Sequence, residues 1–240
     1  HPDTIGHDGH PVGDAPDEEG LKALGAKMSA ANGYANIHGW ELYDTTGTTE
    51  DWSYNATGGY GYTFEIGPNE FHPPFPEVVD EYLGAGQYAG KGNREAYLLA
   101  LENAVDTANH AVITGKAPKG ATLRLTKAFS TPTWESSFTD HLETTMAVGS
   151  KGRYTWHVNQ STRPDVYADK NPPREAWTMT CKRPDQARSV AQQVLLTDRQ
   201  AFDFEREVEK VDDEAETNPV DHVSDRAAHD LPGHRRARAF

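Results

Sequence analysis

The sequence is poor in cysteine, in long apolar runs and in positive charge. Its only cysteine is Cys181, so no disulfide bond can form within the chain. No apolar run is long enough to cross a bilayer, and no signal-peptide pattern is present. Lysine and arginine number 23 against 37 aspartate and glutamate residues, a formal net charge of −14. We therefore expect no nucleic acid partner, because little in the chain would neutralise a phosphate backbone, and no membrane span.

Length and composition predict a folded protein. The chain has 240 residues, of which 36% are hydrophobic and 25% charged, enough to bury the core of one large domain or two modest ones. Its first residue is His1, which predicts a processed N-terminus or a truncated fragment. An acidic surface is typical of a secreted or salt-adapted protein.

Apolar residues at helical spacing predict three helices in the first half of the chain. Asp14 is a candidate N-cap for a helix that follows Pro16 and stops at Gly33. A second helix is predicted over 75–83. A third is predicted from 93 to about 113, with Leu98, Leu101 and Val105 on one face.

Runs of β-forming residues predict strands elsewhere. The run at 61–66 (GYTFEI) predicts a strand. After Gly115, short alternating runs separated by Pro, Gly and Asp predict a small antiparallel β-sandwich over 115–205. From about 206 the chain becomes acidic and then basic, without apolar periodicity, which predicts a disordered charged tail over 206–240.

The stretch from Tyr43 to Gly67 contains the residues most suited to chemistry. It reads as a Gly/Thr loop, then an Asp-Trp-x-Tyr turn, then a strand with one carboxylate, Glu65. Between Phe64 and Ile66, a buried Glu65 would have its proton affinity raised towards the range of a general base. The alternative is an ordinary glutamate on the solvent face of an edge strand.

This stretch resembles the active-site segment of zinc carboxypeptidases of the A, B and T type. Residues 48–54 (TTEDWSY) are similar to that family's Gly-[Ser/Thr]-x-Asp-Trp-x-Tyr turn, and residues 62–65 (YTFE) to its Phe-Thr-Phe-Glu strand. The spacing from Asp51 to Glu65 agrees without a gap, and Tyr43 precedes Asp51 by eight positions, as in the family.

The resemblance implies roles for four residues. Glu65 corresponds to the catalytic glutamate, which takes a proton from a zinc-bound water and passes it to the leaving amine. Tyr43 corresponds to the tyrosine of a mobile loop that closes over the substrate's C-terminal carboxylate. Glu50 corresponds to the base of the specificity pocket, where a carboxylate would pair with a basic side chain, and Thr63 lines that pocket. A surface tyrosine at 43 and a solvated loop acid at 50 are the alternatives.

The sequence departs from the family at the metal. The family's zinc ligands are a His-x-x-Glu pair and a later histidine, and their positions would precede His1, so the resemblance implies zinc for the parent enzyme and no metal ligand in this chain. His38 and Glu41 do spell His-x-x-Glu, but they lie on the wrong side of the preceding helix and have no distant third ligand.

Together these features predict an α/β protein. Residues 1–114 would be the C-terminal portion of a mixed-sheet carboxypeptidase catalytic domain, followed by the β-sandwich and the tail. The expected function is zinc-dependent removal of C-terminal residues from peptides or proteins by a secreted enzyme, with this chain inactive alone. The alternatives are a non-catalytic binding or scaffold module derived from a peptidase, and a hydrolase of the same family acting on cell-wall peptides or amino-acid amides.

Overall fold

The structure, a computed structural model, describes residues 9, 13–43, 45, 47–67, 70–133, 135–164, 173–183, 189–194, 196 and 200–203. The prediction that the chain combines helices with β-sheets is confirmed. The predicted tail, 206–240, lies outside the described residues. Within them, no helix is both long and apolar enough to cross a membrane.

Helices occupy the first part of the chain and strands the second. The helices are α1 (Glu18–Asn32), α2 (Gly39–Leu42), α3 (Thr49–Thr57), α4 (Phe75–Leu83) and α5 (Asn93–Val105), with a 3-10 turn at Gly86–Tyr88. The strands are β1 (Ala111–Lys116), β2 (Thr122–Pro132), β3 (Ser137–Ala147), β4 (Arg153–Val158), β5 (Trp177–Lys182), β6 (Ser189–Val194) and β7 (Gln200–Asp203). We call β1 to β7 with their connecting loops the β-region.

Helix α1 begins later than the sequence predicts. Its N-cap is Asp17, not Asp14, and the Asp17 side chain makes no capping hydrogen bond. That carboxylate instead accepts a hydrogen bond of 2.8 Å from the Tyr54 hydroxyl in α3. The predicted stop at Gly33 is confirmed: this residue has φ 79°, a conformation that favours glycine.

Helices α1 and α5 pack together through Leu24, Met28 and Ala96. Beside this small core lies a polar network that joins α1, α4 and α5. The Asn32 amide donates to Asn93 (3.0 Å), and the Asn93 amide donates to the Tyr34 hydroxyl (3.0 Å). That hydroxyl donates to Glu81, which is 3% exposed, and burial raises the pKa of Tyr34 to about 12. The network provides hydrogen bonds for polar groups that would be costly to bury unpaired.

The prediction of a strand at 61–66 is wrong, because these residues form no regular secondary structure. The 59–67 segment has no strand assignment, because no described strand pairs with it. Its side chains still alternate as a strand's do. Tyr60, Tyr62 and Phe64 pack against the α1–α5 core, while Thr63 and Glu65 are exposed.

Helix α5 is shorter than predicted and its apolar face is open. It ends at Val105, and the β-branched run Val112-Ile113-Thr114 forms part of β1 instead. The residues predicted to form its apolar face are exposed: Leu98 by 44%, Leu101 by 56% and Val105 by 60%. The face that packs on α1 is formed instead by residues such as Ala96.

The β-region consists of two sheets, in the strand orders β4-β1-β7 and β3-β2-β5-β6. Pairing is antiparallel except between β1 and β7, which are parallel. Alternate residues of both sheets meet in one hydrophobic cluster. Ile113 and Trp156 contribute from the first sheet, and Leu125 and Met179 from the second. This burial supplies most of the driving force for folding here.

One lysine lies inside the β-region. Lys127 is 1% exposed, and its ammonium lies 5.0 Å from the Trp177 ring centroid and donates to the Gln160 carbonyl at 3.3 Å. Burial lowers its pKa from 10.5 to about 8, with Glu175 opposing the shift and Arg163 adding to it. The charged form is therefore disfavoured in the folded protein.

We predict a pH-dependent stability that is specific to Lys127. Below pH 8 both states bind the proton, and between about 8 and 10.5 the folded state loses it first. The free energy of unfolding should therefore rise in this window by up to about 3 kcal/mol. Denaturant titrations from pH 7 to 10 measure this effect. The wild-type free energy of unfolding should rise with pH, whereas that of Lys127→Met should lack this rise, because the variant has no ammonium group at this position. The exposed control Lys182→Met should parallel wild type, and parallel curves for Lys127→Met would contradict the prediction.

Candidate functional site

The residues similar to the carboxypeptidase turn form a helix. The sequence predicts a turn at 48–54, but the structure has α3 there, starting with a capping box. The Thr48 hydroxyl accepts from the Asp51 amide (3.2 Å), and the Asp51 carboxylate accepts from the Thr48 amide (3.2 Å). At its other end, Gly58 in the left-handed conformation, φ 72°, ends the helix.

Glu50, in the first turn of α3, contacts the 59–67 segment. Its carboxylate accepts hydrogen bonds from the hydroxyls of Thr63 and Thr49, the latter at 3.0 Å. The close approach suits the glycine at position 61, because an added Cβ there would lie 3.0 Å from the Glu50 Cβ and Cγ and one of the two would have to shift. The structure therefore brings together two of the predicted substrate-binding residues, Glu50 and Thr63.

The hydrogen bond from Thr63 is the main cause that lowers the pKa of Glu50. Donation from the Glu50 backbone and from Thr49 acts in the same direction, and partial burial opposes it. The start of a helix also favours a negative charge. Glu50 is thus a carboxylate that stays ionised at neutral pH.

Glu65 lies two positions after Thr63, on the same exposed side of the 59–67 segment. Its neighbour Phe64 turns to the helices and stacks obliquely on Tyr97, with ring centroids 5.0 Å apart. The described residues do not bury Glu65, so the apolar enclosure expected from Phe64 and Ile66 is absent from this part of the chain. The carboxylate is instead open to solvent beside the Glu50–Thr63 pair.

Tyr43 follows α2 and projects into solvent, 59% exposed. Within the described residues, no hydrogen bond or ring contact joins its side chain to Glu50, Thr63 or Glu65. Helix α2 is tethered to α1 through His38, whose Nε2 lies 2.7 Å from a Glu18 carboxylate oxygen. The tyrosine is therefore at the end of a short helix that His38 connects to α1.

The same contacts define what the His38-x-x-Glu41 motif does here. Glu41 lies 3.1 Å from His38 Nδ1 while Glu18 lies against Nε2, so both ring nitrogens contact carboxylates. The hydrogen bond with Glu18 is the largest cause that raises the pKa of His38. This is the arrangement of a charged histidine between two acids. No set of three or more His, Cys, Asp and Glu side chains in the described ranges is placed to hold a metal ion.

Two contacts to α3 were not predicted from the sequence. The Tyr54 hydroxyl donates to Asp17 and accepts from the Asp17 amide, at 2.8 and 3.0 Å. The Trp52 indole N–H donates to Asp140 of β3 at 2.8 Å. Both join residues distant in sequence, for which a single sequence gives no signal. The Thr48–Asp51 capping box, in contrast, follows the local Thr-x-x-Asp spacing and was readable.

We predict that the Glu50 carboxyl responds to the loss of one hydroxyl. Thr63→Val removes the hydrogen bond that most lowers the pKa of Glu50, so that pKa should rise towards its ordinary value of 4.5. The stability that this bond contributes is present above that value and is lost as pH falls through the lowered pKa. Carboxyl NMR titration measures the shift. Thr49→Val, which removes a weaker donor, is the matched control and should shift it less. Equal shifts in both would contradict the assignment.

Comparison with known proteins adds no relative. No family model matches the chain, and no curated protein matches it. The carboxypeptidase interpretation therefore depends on the residues themselves: the spacing of Tyr43, Glu50, Thr63 and Glu65, and the Glu50–Thr63 contact.

Proposed function

We propose that this chain is the C-terminal part of a secreted zinc metallocarboxypeptidase that removes C-terminal residues from peptides. The residues before β1 belong to its mixed-sheet catalytic domain, and the β-region, which starts at Ala111 and not at the predicted 115, forms an accessory β-sandwich. Glu65 is the catalytic carboxylate, and Tyr43, Glu50 and Thr63 contact the substrate. The 240 residues alone are inactive, because the zinc ligands belong to an upstream part of the parent protein.

The observation that carries this proposal is the two-sided 59–67 segment. One side, with Tyr62 and Phe64, packs on α1 and α5, while the other presents Thr63 and Glu65 together. The segment has the alternation of a strand but no strand beside it among the described residues. Proteins rarely leave such an edge unpaired. This supports a parent protein in which further strands lie alongside Glu65.

The exposed apolar residues of α4 and α5 support the same parent. Leu98, Leu101 and Val105 are about half exposed, as is Ile66 at the end of the 59–67 segment. A depression of about 230 Å³ lies between the two helices, lined by Ile66, Val78, Val79, Tyr82, Asn93 and Tyr97. Adjacent apolar surface of this kind is typical of an interface with another part of a protein. An upstream half of a catalytic domain would cover it.

The arrangement suits peptide hydrolysis at a C-terminus. An exposed carboxylate at Glu65 can take a proton from an attacking water and deliver it to the leaving amine. Beside it, the ionised Glu50 can pair with a lysine or arginine side chain of the last substrate residue, oriented by the Thr63 hydroxyl. Tyr43 is exposed at the end of the short helix α2, as a residue that closes over a bound substrate would be.

The described residues do not themselves fit a zinc ion. His38 is enclosed by Glu18 and Glu41, and no other described cluster offers three ligands.

A non-catalytic binding module is the second candidate, and the apolar surface on α5 favours it, because such a surface also fits a partner protein. The two candidates differ in what Glu65 does.

We predict that catalysis requires both the upstream region and Glu65. Produced together with its upstream coding region and zinc, the protein should hydrolyse a peptide ending in arginine, and Glu65→Gln should lower kcat by about 100-fold or more. The exposed control Glu70→Gln should leave the rate unchanged. The 240-residue chain with zinc should be inactive. If the 240-residue chain hydrolyses the peptide and Glu65→Gln abolishes that activity, the chain is not an inactive fragment. If the extended protein is active and Glu65→Gln leaves its rate unchanged, the binding module is favoured for this chain.

Glu50 should determine preference for the last substrate residue. In the extended protein, Glu50→Gln removes the charge that pairs with a basic side chain, so kcat/KM for peptides ending in arginine should fall by about tenfold. Peptides ending in leucine should be cleaved as before. Steady-state kinetics on the two peptides measure the ratio, and an unchanged ratio would exclude Glu50 from the specificity pocket.

A further inference from the structure

The β-region contacts α3 at its C-terminal end and again at Trp52, two positions after Glu50. We infer that the β-region holds this helix in place and so positions the Glu50 carboxylate against Thr63, with Trp52 and Arg163 as positioning residues. Only the role of Glu50 in binding a substrate rests on the proposed function. The contacts themselves belong to this chain.

At the C-terminal end of α3, the β-region satisfies backbone carbonyls that a helix leaves without partners. Arg163, 4% exposed, donates from Nη1 to the Asn55 carbonyl at 3.0 Å. The Asn159 amide donates to the Thr57 carbonyl at 3.4 Å. Both carbonyls lie in the last turn, where the helix offers no amide to bond them and where a cation is favoured by the helix dipole.

The Arg163 guanidinium is held in one orientation. Its Nε and Nη2 donate to the two carboxylate oxygens of Glu175, at 2.9 and 2.7 Å, and its carbon lies 4.7 Å from the Phe129 ring centroid. A bidentate pair of this kind fixes the plane of the guanidinium. Nη1, on the side away from that pair, is thereby directed to Asn55.

Towards the N-terminal end, α3 is held by the β2–β3 hairpin. The Trp52 indole donates to Asp140 at 2.8 Å, and the Thr131 hydroxyl donates to the same carboxylate at 3.3 Å. The hydrogen bond from Trp52 is the largest cause that lowers the pKa of Asp140. An ionised acceptor fixed by several donors gives the indole a defined partner.

The remaining contacts of α3 connect it to the helical part of the chain. Tyr54 bonds Asp17 of α1, and Glu50 bonds Thr63. The helix is only nine residues long, too short to be stable by itself in water. Its order, and the place of Glu50 in its first turn, therefore depend on contacts from both sides.

The test uses the 240-residue chain and two variants. Trp52→Phe removes the indole N–H together with the five-membered ring at an exposed position, and Arg163→Lys breaks the fork to Glu175. We expect amide hydrogen exchange at residues 53–57 to accelerate by about tenfold in each, while exchange in β2 and β5 of Trp52→Phe stays unchanged. The control is Arg124→Lys, which alters an exposed pair with Glu143 in the same sheet, 2.5 Å apart, and does not contact α3.

The second measurement is the carboxyl titration of Glu50. If Trp52 only stabilised the β-region, its replacement would leave the titration midpoint of Glu50 unchanged. Loosening α3 in Trp52→Phe weakens the hydrogen bond from Thr63, so the titration midpoint should rise towards 4.5. Unchanged exchange in α3, or an unchanged Glu50 midpoint, in this variant would overturn the inference. If Arg163→Lys unfolds the β-region, Trp52→Phe still decides. Peptidase assays do not enter this test, so an inactive extended protein would refute the proposed function and leave the inference standing.

Discussion

The ion pair between the buried Arg163 and the partly exposed Glu175 is the interaction on which, by our inference, the placement of α3 depends. Ion pairs with little solvent access are costly to form unless their remaining hydrogen-bonding groups are satisfied, and here the spare donor goes to Asn55 of α3. The hydrogen bond that helps to offset the desolvation of Arg163 therefore also attaches the β-region to α3. Glu50 precedes Asn55 in the same helix, so we infer that its position follows from that attachment.

The helical part of the chain is incompletely covered. Its own core is small, consisting of Leu24, Met28 and Ala96 with a few half-buried aromatic side chains. The β-region, in contrast, buries residues from both of its sheets in one cluster. The two parts therefore differ in how they cover apolar residues. The sheets bury theirs against each other, whereas the helices expose apolar side chains to solvent. The polar network around Asn93 joins the helices through hydrogen bonds and adds little buried apolar surface.

Local patterns were predictable from the sequence, and long-range partners were not. The bounds of α4 and the stop of α1 at Gly33 follow from proline, glycine and apolar spacing, and the structure confirms them. The strand expected at 61–66 fails because a strand requires a neighbour, whatever its own composition. The end of α5 was placed too late because residues 111–114 suit either a helix face or a buried strand, and pairing with β4 decides between them. At the site, the Glu50–Thr63 pair was reachable from a resemblance, whereas Arg163 and Asp140 act across more than 80 positions and leave no local trace.

Gly61 has a consequence that extends beyond its own conformation. The backbone at this residue lies so close to the stem of Glu50 that an added Cβ would be 3.0 Å from the Glu50 Cβ and Cγ. With any larger residue, the stem of Glu50 or the 59–67 segment would have to shift by a few tenths of an ångström. Position 61 therefore determines how closely the 59–67 segment can approach α3 at Glu50.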